Sequence, residues 1–500
     1  MFYPLVAGMI YTIYCQWKKK DILVNKKWAA LFVGVYVGFT LLSTVLGVIN
    51  YPYYELVMQG PQDQIEKLPR VLNFLQAHGI NVSFKALLSF WMVARPVKNV
   101  LMDAFYNFGT AYMLYCWYRS DWQRGLKVLI GGMTASLLIA CGFSVIETIY
   151  LAGSTWAREV LVHITPFFLS INERNSAYGW PALLLELPQL RSVFAEPSFF
   201  GLYAAFALPF LWYVLLGEVK RKPFFIVLTT SFTFFTFLTK ARTSVALLLG
   251  ELLLLGLCIL FYHRKNTLKG GAWVLTCTML AFLCSVYFVE NIMIKETHVF
   301  VRPRADMSTQ VNVAKAKSSS LSLKQLTNYL DDNVVSIASA DRRSNVPRYA
   351  YIKAACRVGA EHPVFGVGKG LTAGYMMHKF TAAELEDHEV QQRLLRIKQL
   401  GVLGAPIPIV CEYAAKFAEF GIVGLVLSLV PIAYAIYRAL RKLKLAGEEQ
   451  GIIALLIALM GILAGGMSTV FSANHCLWIV LGLLYAATET NKNKSEALEL

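Results

Sequence analysis

The sequence predicts an all-α polytopic membrane protein, with about eleven transmembrane helices and one large, partly helical loop on one side of the bilayer. Three observations carry this. Hydrophobic residues make up 56% of the 500 residues and charged ones only 16%, where a soluble domain carries about a quarter charged, and the mean hydropathy is +0.51. Apolar runs long enough to cross about 30 Å of hydrocarbon recur along the whole chain; Ala29–Asn50, Lys127–Leu151, Ser244–Phe261 and Ile452–Val470 are clear examples. Lys and Arg, finally, fall in short clusters between those runs.

The expected spans lie near 2–16, 29–50, 100–118, 127–152, 197–217, 223–239, 244–262, 272–290, 418–437, 452–472 and 476–490. The connections QWKKKDILVNKK, YRSDWQRGLK, GEVKRKP, HRKNTLKG and RALRKLK are short and basic, as is the tail NKNK. Basic loops stay on the cytoplasmic side, so one arrangement satisfies them all, with the N-terminus outside and the C-terminus inside. The opposite face receives the segments around 51–99 and 153–196, the hinge KARTS and the long stretch 291–417. This divides the chain into spans 1–8 (1–290), a large outer loop (291–417) and spans 9–11 with a tail (418–500).

The outer segments carry their own helical patterns. Ile65, Leu68, Val71, Leu72 and Leu75 form one face of an amphipathic helix over 62–78. Ala86–Ala94 is apolar but short, and Arg95-Pro96 is expected to break it. Thr381-Ala-Ala-Glu384 spells a capping box, which should open a charged helix running to about Leu400. Residues 305–325, rich in Ser, Lys and Gln, read as mobile.

The net charge of +16 does not indicate nucleic acid, because the basic residues encode topology. Six of the nine Cys sit inside apolar runs, so no disulfide framework is expected. No cleavable signal peptide is expected, since Lys18, Lys19 and Lys20 follow the first apolar run instead of preceding it. No internal repeat is apparent, whereas many transporters are built from doubled halves. The eight His form no zinc-ligand spacing, and neither a metal nor a cofactor is predicted.

Positive charge on the outer face is unusual and calls for an anionic ligand. Arg191 precedes Glu196-Pro197, where Pro fits the first turn of a helix and the helix dipole favours the carboxylate. Lys240 and Arg242 occupy the tight turn between two spans. Arg342, Arg343 and Arg348 cluster at a helix over about 346–358, followed by the turn His362-Pro363-Val-Phe-Gly366-Val-Gly368. Guanidinium suits phosphate by its planar fork of donors and permanent charge. A lipid-linked pyrophosphate would lie at this depth; the alternative is pairing with headgroups or with Asp331, Asp332 and Asp341. Gly366-Val-Gly368-Lys369-Gly370 reads as a turn, since it lacks a nucleotide loop's full spacing. His362, His378 and His388 are solvated or act as bases, and Glu412 and Glu419 stand near the start of a span.

These residues together resemble the O-antigen polymerase and ligase superfamily of bacterial envelope glycan assembly. The resemblance rests on Arg191-x5-Pro197-Ser198-x2-Gly201, on Thr239-Lys-Ala-Arg242-Thr-Ser244, on Arg348-x13-His362-Pro363-Val-Phe-Gly366-Val-Gly368, and on Phe417-Ala-Glu419-Phe-Gly421-Ile-Val-Gly424. It covers about residues 185–440. The resemblance implies an inner-membrane, metal-independent, inverting glycosyltransferase of the all-helical type C class. The donor would be an oligosaccharide on undecaprenyl pyrophosphate, used at the periplasmic face. It also implies that Arg191 and Arg242 hold the pyrophosphate, with Arg348 third; Arg343, Lys240 and His362, from the same outer-face clusters, are expected to help bind substrate. Further partners would be a chain-length regulator and export machinery. Ligases of this superfamily usually carry a His about ten residues before the Glu-containing motif, and Pro406–Tyr413 has none. A polymerase joining repeat units is therefore expected, with Glu196 preferred as the base over Glu412 and His388. The competing readings are a ligase onto lipid or protein and a lipid-linked oligosaccharide flippase, which would instead place ionisable groups at mid-membrane.

Overall fold

The computed structural model describes residues 3–18, 27–58, 67–164, 189–194, 196–217, 221–261, 265–293, 327, 345–446, 450–470 and 475–489. Among these residues there are helices and no strand. In chain order the helices are α1 (Tyr3–Trp17), α2 (Lys27–Ile49), α3 (Tyr54–Met58), α4 (Lys67–Ala77), α5 (Phe84–Tyr118) and α6 (Trp122–Leu151). Next come α7 (Thr155–Ile164), α8 (Pro197–Leu216), α9 (Lys222–Leu238), α10 (Arg242–Phe261) and α11 (Lys265–Asn291). The last group is α12 (Val346–Glu361), α13 (Thr372–Met376), α14 (Ala382–Leu385), α15 (His388–Gly404), α16 (Glu412–Ala446), α17 (Gln450–Gly465) and α18 (His475–Ala487).

Six of these are long and apolar enough to cross a membrane: α2, α6, α8, α10, most of α11 and most of α16. Three shorter helices, α9, α17 and α18, are as apolar. A polytopic all-α membrane protein fits this set of helices, as the sequence predicts.

The chain forms two compact units. One comprises 1–122, 339–444 and 466–500, and the other 123–338 and 445–465. In the first, α5 packs against α18, α2, α1 and α4, while α15 packs on α3. A second apolar core there joins Tyr51, Leu87, Leu88, Tyr351, Ala354, Val358, Tyr375, Val390 and Ile397. In the second unit α8 is the hub, packed on by α9, α10, α11 and α17. That centrality explains its composition: Phe200, Ala207, Leu208, Phe210, Leu211 and Leu215 are all fully buried, as expected of a helix that is apolar all round.

Two local expectations are corrected. Pro96 does not break the chain, because α5 runs through it from an N-cap at Ser83, whose hydroxyl accepts from Ala86 N; flanking helical turns carry it across the lost bond. The capping box at Thr381 forms as predicted, yet it opens only the single turn of α14. Asp387 then caps α15 afresh, accepting from the backbone N–H groups of Glu389 and Val390. An acidic side chain that captures two orphan donors starts a new helix at that point.

Candidate functional site

In the second unit, the Arg191 loop and the 239–242 hinge meet through backbone. Leu190 N donates to Leu238 O at 3.2 Å, joining the residue before Arg191 to the last residue of α9. Glu147, one turn from the end of α6, holds the loop from the other side. Its Oε2 accepts from Ser192 N at 2.7 Å and Arg191 N at 3.2 Å. Ser192 Oγ adds a bond to Ala140 O, and Phe194 packs its ring on Phe200 and Tyr203 of α8. Arg191 is only 3% exposed. Burial lowers its pKa, and the neighbouring Glu147 carboxylate opposes the shift.

The hinge is equally constrained. α9 ends at Leu238 and α10 begins at Arg242. Thr239 is fully buried, donates to Thr236 O and accepts from Ala241 N, the local bonding by which Thr closes a turn. Ser192 (φ 57°) and Lys240 (φ 49°) are the non-glycine residues with positive φ among those described, one in each of the two joined segments. Non-glycine residues are uncommon in that region, and such backbone concentrates at functional sites.

The start of α8 also lies against the start of α10. Gly201 is the reason, since a Cβ there would fall 1.8 Å from Ser244 Oγ and 2.9 Å from Ser244 Cα. The first turns of the two helices therefore stand side by side, next to Lys240 and Arg242, and the dipole of a helix N-terminus favours an anion. Glu196 occupies the N-cap of α8 but does not cap its backbone; its exposed carboxylate accepts from the Ser198 hydroxyl at 3.0 Å.

The first unit joins the other two motifs. Val367 N donates to Ala418 O, Gly368 N to Glu419 O, and Ile422 N to Pro363 O, at 2.7–3.0 Å. Ser43 of α2 donates to Phe365 O at 2.6 Å. The 363–370 turn and the Glu419-Phe-Gly421 segment are thus one clasp. Gly366 (φ +67°) and Gly421 (φ +66°) permit it, since a Cβ on either would lie 2.4 Å from the opposing backbone. Gly421 also kinks α16. Glu419 Oε1 accepts from Gly370 N, and Lys369 is ion-paired with Asp103 of α5.

Of the predicted site residues, Arg191, Glu196, Lys240 and Arg242 come together in the second unit. Arg348 is exposed on α12 in the first unit, and His362 ends that helix with its ring edge-on to Tyr375. Arg343 and the 305–325 stretch lie outside the described residues, as does Arg342. Sequence reasoning missed Glu147 and Lys416. Both are ionisable residues inside apolar runs, which is the signal that would have found them. Among the described residues no cluster of His, Cys, Asp and Glu is arranged to hold a metal ion.

The O-antigen ligase family matches this chain over residues 224–398. The match takes in the hinge, Arg348 and His362, supports membership of the O-antigen polymerase and ligase superfamily, and points to an enzyme of glycosyltransferase type. No curated protein and no solved structure gives a significant match.

Proposed function

We propose that this member of the O-antigen polymerase and ligase superfamily is a polymerase, joining oligosaccharide repeat units carried on undecaprenyl pyrophosphate into a surface polysaccharide. The observation that carries the reading is the junction of the Arg191 loop with the 239–242 hinge at the paired starts of α8 and α10. A pyrophosphate held there gains N–H donors, helix dipoles and basic side chains at once. Its polyprenyl tail would lie along the apolar helices that begin at the same point. In the topology read from the basic loops, this end of α8 and α10 faces the periplasm.

The reaction breaks the bond between the anomeric carbon and the pyrophosphate oxygen as an acceptor hydroxyl attacks from the opposite face, inverting the centre. Polyprenyl pyrophosphate leaves with the electron pair. Arg242 and Lys240, partly exposed, would stabilise the developing charge directly, with Arg191 adding its field from the buried side. Glu196, exposed at the N-cap, is the preferred group to take the hydroxyl proton. The donor-side chemistry of a ligase would be the same. The polymerase is favoured because the stretch before Glu419, where ligases usually carry a His, offers only Glu412, and that residue is buried in the first unit beside Lys416.

Arg191→Ala and Arg242→Ala should abolish chain extension while the protein still inserts, read as loss of the glycan ladder on gels. Normal laddering in both variants refutes the pyrophosphate site. Deleting the gene should leave single repeat units on the surface glycan. Their absence would indicate a ligase or a flippase instead.

A further inference from the structure

α8, α10 and α17 meet around an acid that takes no part in the proposed transfer. Glu251, midway along α10, is 1% exposed, and neither of its carboxyl oxygens has a hydrogen-bond partner among the described residues. Its Oε1 lies in a notch of α17 at Gly461, where a Cβ would fall 1.8 Å away, and Ala205 of α8 closes the notch from the side. All three helices belong to the second unit, and α8 and α10 are long and apolar enough to span a membrane.

The enclosing helices supply no counter-charge. α17 carries no ionisable residue, and α8 carries only Tyr203 and Tyr213. α10 adds Cys258 and, about 13 Å along the helix from Glu251, Arg242. α9 and α11 also touch α10, but their charged residues (Lys222, Lys265, Lys269 and Glu290) fall within five residues of a helix end. The remaining titratable groups of α11 are Cys277, Cys284 and Tyr287. An unpaired carboxylate in such surroundings costs far more than a protonated one. Glu251 is therefore held as the neutral acid, which still has an O–H to donate and an oxygen to accept.

A cavity of about 20 Å³, enough for one water, adjoins it. Leu255, Pro209 and Ile457 line this cavity, each one turn along its helix from Glu251, Ala205 and Gly461 respectively. Trp212 stands in the same wall, and its buried indole N–H donates to nothing among the described residues. Buried water settles where polar groups would otherwise go unsatisfied. The wall continues to Leu216, Ile259 and Gln450, at the ends of α8, α10 and α17 opposite the Arg191 loop.

We infer that Glu251 is an intramembrane proton site, a carboxylic acid seated in the Gly461 notch that exchanges its proton through the water-sized cavity beside it. Exchange moves a proton from the Glu251 O–H to a water oxygen and returns another to the same carboxyl, so atoms and charge balance with no further reactant. The site is independent of the transfer reaction and of the arginine cluster.

The test uses the full chain in lipid nanodiscs. Infrared spectra of the wild type at neutral pH should show a carboxylic C=O band that Glu251→Gln removes, and the band should shift when the buffer is exchanged for D2O. Dicyclohexylcarbodiimide, an apolar reagent that adds to protonated carboxyls within membranes, should label Glu251 in the wild type, mapped by peptide mass. That labelling needs no variant and decides the protonation state if Glu251→Gln fails to fold. Ala454→Leu adds apolar volume to the cavity wall and leaves the notch alone, so it should keep the band and slow its D2O shift at least tenfold. Trp212→Phe removes the N–H that holds the water and should slow the shift in the same sense, which serves if Ala454→Leu does not fold. A wild type with neither the acid band nor the carbodiimide adduct would overturn the inference. So would an acid band that never shifts in D2O, the mark of a sealed packing element. Exchange as fast as the wild type in both cavity variants would overturn the route and the inference with it.

Discussion

Glu147 is the residue on which the arginine site most depends, although it touches no substrate in this scheme. Its carboxylate is the acceptor for two buried backbone N–H groups, those of Arg191 and Ser192, and it lies beside the buried Arg191 guanidinium. Replacing it by Ala strands both donors, at about 1–3 kcal/mol each. It also removes the carboxylate that favours the charged form of the buried Arg191 guanidinium. A short loop cannot hold against that sum, so the expected result is release of residues 189–196 from α6 before the helices themselves separate. Displacing a substrate-positioning group by about 1 Å can cost a hundredfold in rate. Glu147→Ala should therefore lose at least that much glycan extension and become sensitive to proteolysis at the loop, with a smaller fall in the thermal midpoint in detergent. Glu147→Gln keeps an acceptor of the same reach and should cost about 1 kcal/mol, the difference between charge-assisted and neutral hydrogen bonds. Full extension by Glu147→Ala, with the loop still protected, would refute the reasoning.

Other outcomes follow from the same geometry. Gly201→Ala must push α8 from α10 against Ser244, which should destabilise by about 1–3 kcal/mol and impair extension; Gly201→Ala with Ser244→Gly should recover part of both, measured by thermal midpoint and ladder length. Gly421→Ala meets the carbonyl oxygen of Val364 at 2.4 Å from a left-handed backbone, so the clasp should open, seen as faster amide exchange over 363–370. Glu196→Gln should slow turnover if Glu196 is the base, whereas near-wild-type turnover would reduce it to orienting Ser198. Burial raises the Glu384 carboxyl, but the Arg357 guanidinium and the Thr381 groups more than offset this, so its pKa lies below the ordinary carboxylate value. A depressed pKa contributes stability above the unfolded value and loses it as pH falls through the folded one. Glu384→Gln should thus lower the thermal midpoint at pH 7 and converge with the wild type at strongly acidic pH. Because the pair is partly exposed, the effect should be about 1 kcal/mol or less.

Much of the fold was legible because a bilayer imposes a length and an apolar composition that any single span must satisfy by itself. Positions such as Pro197 and Ser83 write helix starts locally, and the four motifs could be read as ordered strings. The turn at Gly366-Val-Gly368 was equally legible as a turn. Its clasp on Ala418–Gly421 was not, because that pairing joins backbone atoms some fifty residues apart and leaves only two glycines as its trace. The course of α5 through Pro96 was hidden for the opposite reason: local preference argued for a break, and packing of the whole helix overrode it.

The many-span, all-helical character and the short basic connections were thus determined by sequence alone, since each is a property of contiguous residues. Tertiary structure decided that the Arg191 loop meets the 239–242 hinge, that Arg191 is buried on Glu147, and that Lys416 is buried beside Glu412. Each of these depends on distances between helices far apart in the chain. No hydropathy period or motif spacing encodes them; the fit of a glycine against a neighbour's side chain, or of a carboxylate against two N–H groups, does.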